Sequence, residues 1–282
     1  MELFVAPQPM RSWSAAQRQL GERIAVVPTM GALHDGHLAL ITEARARADR
    51  VIVTIFVNPL QFNRPADFDS YPRPIDRDLA TCESAGVDAV YAPTASAMYP
   101  PQFQTHVEPG DLAVRLEGPM RPGHFRGVTT VVTKLLGATV PDVSLFGCKD
   151  YQQLVIITRT VADLDLGIEV VGVPIVREAD GLAMSSRNVH LDPANRVAAT
   201  VLSRALAAAA SAYRLGERRA DVIRAVAAEL IAGEPLASIE YIEVVDAATL
   251  TDVSVIDSTV VVLLAAWFGG VRLIDNRVLG DD

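Results

Sequence analysis

The first 175 positions of the chain alternate between two patterns. Apolar runs rich in β-branched residues occur at 24–27, 51–57, 89–92, 143–146 and 168–173, and between most of them apolar positions recur at helical spacing, at 38–48, 75–85, 128–139 and 151–161. A strand with no polar face is covered on both sides, and such strands alternating with helices make a parallel sheet between two helical layers. The pattern predicts a doubly wound α/β domain over residues 1–175. After position 176 it changes: helical stretches at 193–213 and 221–232 precede strand-like runs at 239–245, 259–266 and 271–275. Phe268-Gly269-Gly270 joins the last two as a hairpin signal, so residues 176–282 read as a smaller C-terminal α+β domain with an antiparallel sheet.

Composition narrows the choice of partners. With 50% hydrophobic and 21% charged residues over 282 positions, the chain is of ordinary globular type. A formal charge of −9 with no basic cluster argues against a nucleic acid partner, although a small anion needs only a local positive site. Cys82 and Cys148 belong to no CxxC or CxxH pattern, so neither a disulfide framework nor structural zinc is expected. Residues 1–10 lack the basic start and apolar core of a signal peptide, and the longest apolar run, 260–267, is too short to span a bilayer. The expectation is a cytoplasmic protein with no membrane partner.

Candidate chemistry gathers where strands end, which is where open α/β sheets bind ligands. The segment Pro28-Thr29-Met30-Gly31-Ala32-Leu33-His34-Asp35-Gly36-His37 passes from the first apolar run into a helical pattern. A helix N-terminus offers unpaired N–H groups and positive dipole to an anion. Two histidines three apart lie on one face of such a start, so both could reach one phosphate. Gly31 and Gly36 permit positive φ and a close approach of backbone to ligand. The same pattern also fits a capping turn with two solvated histidines.

Phe146-Gly147-Cys148-Lys149-Asp150-Tyr151-Gln152-Gln153 follows another strand and brings Lys149 to the mouth of the sheet as a charge for phosphate, with Asp150 able to accept from a ribose and Gln153 one turn on. A surface lysine and a capping aspartate are the plainer alternative. Met184-Ser185-Ser186-Arg187-Asn188 supplies hydroxyl and guanidinium donors to polyphosphate, or is simply a serine-rich loop. In Val57-Asn58-Pro59-Leu60-Gln61-Phe62, turn chemistry accounts for Asn58 and Pro59, leaving Gln61 as the functional candidate. The basic segment 121–128, RPGHFRGV, is either a substrate-side loop or the start of a helix. Asp76 and Asp78 read as exposed helix-dipole partners, so no protein metal ligand is assigned. Neither GxGxxG nor GxxxxGK[ST] is present, which removes the usual support for a dinucleotide oxidoreductase or a P-loop enzyme.

Taken together, PTMGALHDGH, IFVNPLQF, Tyr71-Pro72-Arg73, RPGHFRGV, FGCKDYQQL, GVPIVREADGLAMSSRN and AAWFGGVRLIDN resemble, in order and spacing, the pantoate:β-alanine ligases of the HxGH nucleotidyltransferase superfamily, nearly end to end. The resemblance implies a Rossmann-like domain and a C-terminal domain acting as a lid, in a homodimer. It implies ATP-dependent condensation of pantoate with β-alanine through a pantoyl adenylate, releasing pyrophosphate and AMP, with Mg²⁺ on the phosphates. His37, His34 and Lys149 would be the catalytic residues, His37 being the one commonly given as proton donor. Met30, His34, Gly36, His37, Gly147, Lys149, Asp150, Val176, Met184, Ser185, Ser186 and Arg187 would bind ATP, and Gln61 and Gln153 the substrate acids. Cys148 departs from the family, which usually has Glu there; activity is expected to persist. Two other readings stay open at this point: a different HxGH enzyme that transfers AMP to a nucleotide, and a catalytically silent nucleotide-binding module.

Overall fold

Six parallel strands lie in the order β1-β4-β3-β2-β5-β6 in the N-terminal part of the computed structural model, which describes residues 1–63 and 65–280. In chain order the elements are β1 (Glu2–Phe4), α1 (Pro7–Gln19), β2 (Ile24–Thr29), α2 (Asp35–Arg47), β3 (Arg50–Ile55), α3 (Pro65–Asp69), α4 (Ile75–Ser84), β4 (Ala89–Tyr91), α5 (Ala95–Met98), α6 (Glu117–Met120), α7 (His124–Thr139), β5 (Val143–Gly147), α8 (Tyr151–Asp163) and β6 (Glu169–Val173). The chain winds outward from β2 through β3 and β4 on one side and through β5 and β6 on the other, so the topological switch lies between β2 and β5. The ladders part there. β2 pairs with β3 as far as Thr29↔Ile55 and β5 with β6 as far as Gly147↔Val173, whereas β2 meets β5 only at Ala25↔Val143 and Val26↔Ser144. The carboxyl ends of β2 and β5 therefore diverge where such sheets hold ligands.

The apolar runs have no polar face because each face of the sheet carries its own core. Ile24, Val26 and Ile52 pack with Met10, Leu136 and Ile157 on one side, and Ala25, Val27, Val51 and Val53 with Ile41, Ala44 and Cys82 on the other. Two elements carry no such signal in the sequence: β1 has three residues, and α1 buries only Met10 and Ser14, too few to write an apolar stripe.

The second unit comprises Lys149–Tyr151 and the chain from Ile175 onward. The sequence reading places the division one residue later and leaves 149–151 in the first domain. Here α9 (Pro193–Ala198), α10 (Val201–Arg214) and α11 (Ala220–Ala232) precede the antiparallel sheet of β7 (Ala237–Asp246), β8 (Val260–Phe268) and β9 (Val271–Leu279). Leu202, Leu206, Ile223 and Ile231 of the helices pack on Val262, Leu264 and Phe268 of the sheet. The hairpin forms as expected, with Gly269 at φ +59°. The single helix expected over 193–213 is instead two, because at Thr200 both the backbone N–H and Oγ1 donate to the carbonyl of Val197, closing a tight turn. No helix among the described residues is long and apolar enough to cross a membrane.

Candidate active site

The turn after β2 is held by a buried carboxylate. Thr29 Oγ1 donates to the Thr54 carbonyl (2.7 Å) and accepts from the Gly31 N–H (3.1 Å). Gly31 sits at φ +81°, and a Cβ there would lie 2.8 Å from Asp78 Oδ2 and 3.1 Å from Ile55 Cγ2. Ala32 follows at φ +52°, an uncommon conformation for a residue with a side chain. It is fixed because Asp78, 1% exposed, accepts the N–H of Ala32 through Oδ2 and that of Leu33 through Oδ1, both at 2.8 Å. Asp78 is thus not the exposed dipole partner expected from the sequence; it faces inward on the buried side of α4. The available signal was its spacing, four residues before the apolar Cys82, which shares that side.

The two histidines cap α2. His34 is the N-cap, with Nδ1 accepting from the Gly36 N–H (3.1 Å), and His37 Nδ1 accepts in return from the His34 N–H (3.2 Å). This is a capping box in which imidazoles replace the usual hydroxyl and carboxylate. Gly36 is needed for a reason other than positive φ: a Cβ there would lie 2.8 Å from Cε1 and 3.0 Å from Nδ1 of the His34 ring that folds over it. The ring centroids stand 4.2 Å apart. Since each Nδ1 accepts, each neutral ring carries its proton on Nε2. Burial, and secondly the neighbouring His34, push the pKa of His37 down to about 3, so the ring is uncharged at neutral pH. An unfolded chain takes up this proton near pH 6.5 and the native one only near 3, so His37 contributes stability above pH 6.5 that is lost progressively as pH falls toward 3. A His37→Gln variant is expected to flatten that part of the stability-against-pH curve, measured by urea unfolding between pH 7 and 4; an unchanged slope would refute the assignment.

Gln61 and Met30 are brought together at the end of β3. Gln61, in a short 3₁₀ turn over Pro59–Gln61, directs Nε2 to Met30 Sδ (3.2 Å). Asn58 is not only a turn residue, as the sequence suggested. It is 1% exposed, its Nδ2 donates to Gln61 Oε1 (3.0 Å) and the Gly127 carbonyl (3.1 Å), and its Oδ1 accepts from the Leu60 N–H (3.3 Å). From the other side, buried His124 Nδ1 bonds the Gln61 carbonyl (2.9 Å). Segment 121–128 thereby resolves as the opening turn of α7 and the rear support of Gln61. Gln153 lies half-buried on α8, while its neighbour Gln152 is buried and fastens Leu112, Arg115 and Glu117. Gly147 ends β5 with open space where a side chain would stand. Cys148 Sγ lies over Gly172 of β6, 3.0 Å from where a Cβ would be. Burial pushes this thiol above its ordinary pKa, so it stays protonated at neutral pH.

In the second unit, Asp275 and Asn276 in mid-β9 organise two segments. Asp275, 2% exposed, takes both arms of Arg177 (2.7 and 2.9 Å), and Arg177 also donates to the Gly181 carbonyl (3.1 Å). Asn276 Nδ2 donates to the Lys149 carbonyl (2.9 Å). The Met184 N–H reaches the Val176 carbonyl (3.0 Å), joining those two candidates. Ser185 Oγ accepts from the Arg187 N–H (3.2 Å), and Asn188 Nδ2 donates to Glu178 Oε1 (2.8 Å) and the Ala183 carbonyl (3.2 Å). Ser185 and Ser186 are half-buried, Arg187 and Asp150 exposed. Sequence reasoning missed the Asp275-Asn276 pair because it ended that strand at 275; a carboxylate and an amide side by side within a strand were the signal.

Among the described residues no group of three His, Cys, Asp or Glu is placed to hold a metal ion. The carboxylate oxygens of Asp78 both serve backbone N–H groups.

The sequence model of the pantoate-beta-alanine ligase family matches residues 2–278. The pantothenate synthetase of Geotalea daltonii is 50% identical over 282 residues, all of both chains, and that of Heliobacterium modesticaldum 51% identical over 279 residues, 99% of both. Among solved structures, a pantothenate synthetase of Thermus thermophilus superposes with a TM-score of 0.92 at 43% identity, covering 98% of this chain and 99% of that one. A pantoate-beta-alanine ligase of Francisella tularensis, complexed with beta-gamma ATP and beta-alanine, gives 0.79 at 32% identity, covering 99% and 97%.

Proposed function

This chain belongs to the pantoate-beta-alanine ligase family and is a carbon–nitrogen ligase, and from that premise we propose that it condenses pantoate with β-alanine in two steps. The pantoate carboxylate attacks the α-phosphate of ATP, giving pantoyl adenylate and pyrophosphate; the amine of β-alanine then attacks the acyl carbon and AMP leaves. Mg²⁺ enters with ATP, on the phosphates, as part of the substrate.

The observation that carries this reading is the imidazole capping box at the end of β2, beside the point where β2 and β5 part. Negative charge grows on the phosphate oxygens as the carboxylate attacks, and donors fixed beforehand at a helix N-terminus stabilise that charge without reorganising. In this role His34 and His37 present Nε2–H to phosphate. His37, neutral at pH 7, acts as a hydrogen-bond donor rather than as an acid giving up its proton. Lys149, Ser185, Ser186 and Arg187 supply further donors and positive charge to the phosphates. Met30, Gly36, Gly147, Asp150, Val176 and Met184 contact the nucleotide, with the open space at Gly147 leaving room for it. Gln61 and Gln153 hold pantoate.

The two-step reading is tested by product order in stopped-time assays. Pyrophosphate is expected with ATP and pantoate alone, and AMP and pantothenate only once β-alanine is added. Release of pyrophosphate that required β-alanine, or that proceeded without pantoate, would overturn it.

A further inference from the structure

The polarity of Gln61 is fixed from behind, by Asn58 and the groups that hold it. An amide can face a ligand with its oxygen or its nitrogen, and the two recognise opposite partners. Here the choice is made by backbone. The Gly127 carbonyl can only accept, so the Asn58 atom beside it at 3.1 Å is the nitrogen. The Leu60 N–H can only donate, so the other Asn58 atom is the oxygen, at 3.3 Å. Asn58 Nδ2 then donates to Gln61 Oε1 at 3.0 Å, which turns Gln61 Nε2 outward to Met30. The shortest bond in the set is the remaining one: the Tyr99 hydroxyl donates to Asn58 Oδ1 at 2.7 Å.

Tyr99 is itself well supported. Its ring meets those of Phe56 (6.1 Å between centroids) and Phe103 (4.9 Å), and the Lys134 ammonium lies over Phe103 and Tyr99, 5.2 and 6.0 Å from their centroids. Burial pushes the phenol pKa up, so the hydroxyl keeps its proton at working pH. The side chain is anchored apart from the one bond it gives.

We propose that Tyr99 is a positioning residue for recognition of the acid substrate: it is the third tie on the Asn58 amide, whose direction Gly127 and Leu60 set, and it steadies that amide so that Gln61 holds its hydrogen-bond donor in place for an ionised carboxylate or a hydroxyl lone pair. The proposal rests on Gln61 holding pantoate. Without the hydroxyl, the backbone of Gly127 and Leu60 still sets which way the Asn58 amide faces, but Oδ1 keeps only its longer bond to Leu60, so the amide that aims Gln61 is held less tightly.

The test compares Tyr99→Phe, which keeps the ring and its packing, with Gln61→Ala, by steady-state pyrophosphate release at varied pantoate and ATP and by thermal unfolding. Tyr99→Phe is expected to raise the KM for pantoate about three- to tenfold, equivalent to about 0.7 to 1.4 kcal/mol, with the KM for ATP changed less than twofold and the melting temperature held within about 2 °C. Gln61→Ala is expected to raise the pantoate KM further, and the double variant to add nothing beyond Gln61→Ala. If Gln61→Ala weakens pantoate while Tyr99→Phe leaves it unchanged, the relay is wrong. Lost melting temperature with both KM values rising together in Tyr99→Phe would make Tyr99 merely structural and likewise overturn it. If Gln61→Ala leaves the pantoate KM alone, the reading of Gln61 itself fails.

Discussion

A His37→Ala variant is expected to release pyrophosphate from ATP and pantoate about 10²- to 10³-fold more slowly than the wild type, the range found when one pre-set donor to a developing oxyanion is removed. The loss should fall on kcat more than on the KM for ATP, because the donor matters most where charge is growing. The same substitution removes the acceptor of the His34 N–H and so weakens the start of α2, at about 1 kcal/mol. His37→Gln separates the two effects, since glutamine at the third helical position can close a capping box without an imidazole. It should recover the melting temperature and leave the rate low. A rate restored along with stability would mean that the cap, and not the ring, is what the reaction needs.

The second large effect is expected at a residue that touches no substrate. A Cβ on Gly127 would stand 2.3 Å from the Leu60 carbonyl oxygen, 2.5 Å from its carbon and 2.7 Å from the Gln61 nitrogen. All three are backbone, so no side chain can swing away. Gly127→Ala must push α7 and the Pro59–Gln61 turn apart, at about 1–3 kcal/mol or more for an overpacked site. The displacement carries the Gly127 carbonyl from Asn58 Nδ2 and His124 from the Gln61 carbonyl. Denaturant unfolding should report the lost stability and pantoate saturation a KM raised at least tenfold. Normal stability with normal pantoate affinity would show that the turn adapts freely.

These two residues mark what the sequence could disclose. Periodicity exposed the strands buried on both faces, since such strands are predominantly apolar, with only Thr54 and Ser144 as buried polar exceptions in β3 and β5, and the order of the runs was enough for a doubly wound sheet. It passed over α1, whose exposed faces outweigh its two buried positions. The histidines were legible because their chemistry and their place at a strand end coincide. Gly127, Asp78 and the Asp275-Asn276 pair were not, because what matters about them is which backbone atoms they approach. Asp78 meets residues 45 and 46 positions away, and no local pattern records a contact at that separation. The purpose of Gly36 was likewise hidden: glycine is ordinarily read for its backbone freedom, and here it leaves space for a ring two residues earlier.

The capping box has one more consequence. A histidine that relays protons takes one on through one nitrogen and passes one off through the other. In His34 and His37 the second nitrogen is spent on the backbone, and releasing it would fray the helix that aims the ring. Neither side chain can work as a proton wire. The capped imidazoles are fixed dipoles, closer in character to the peptide N–H groups beside them than to a general base.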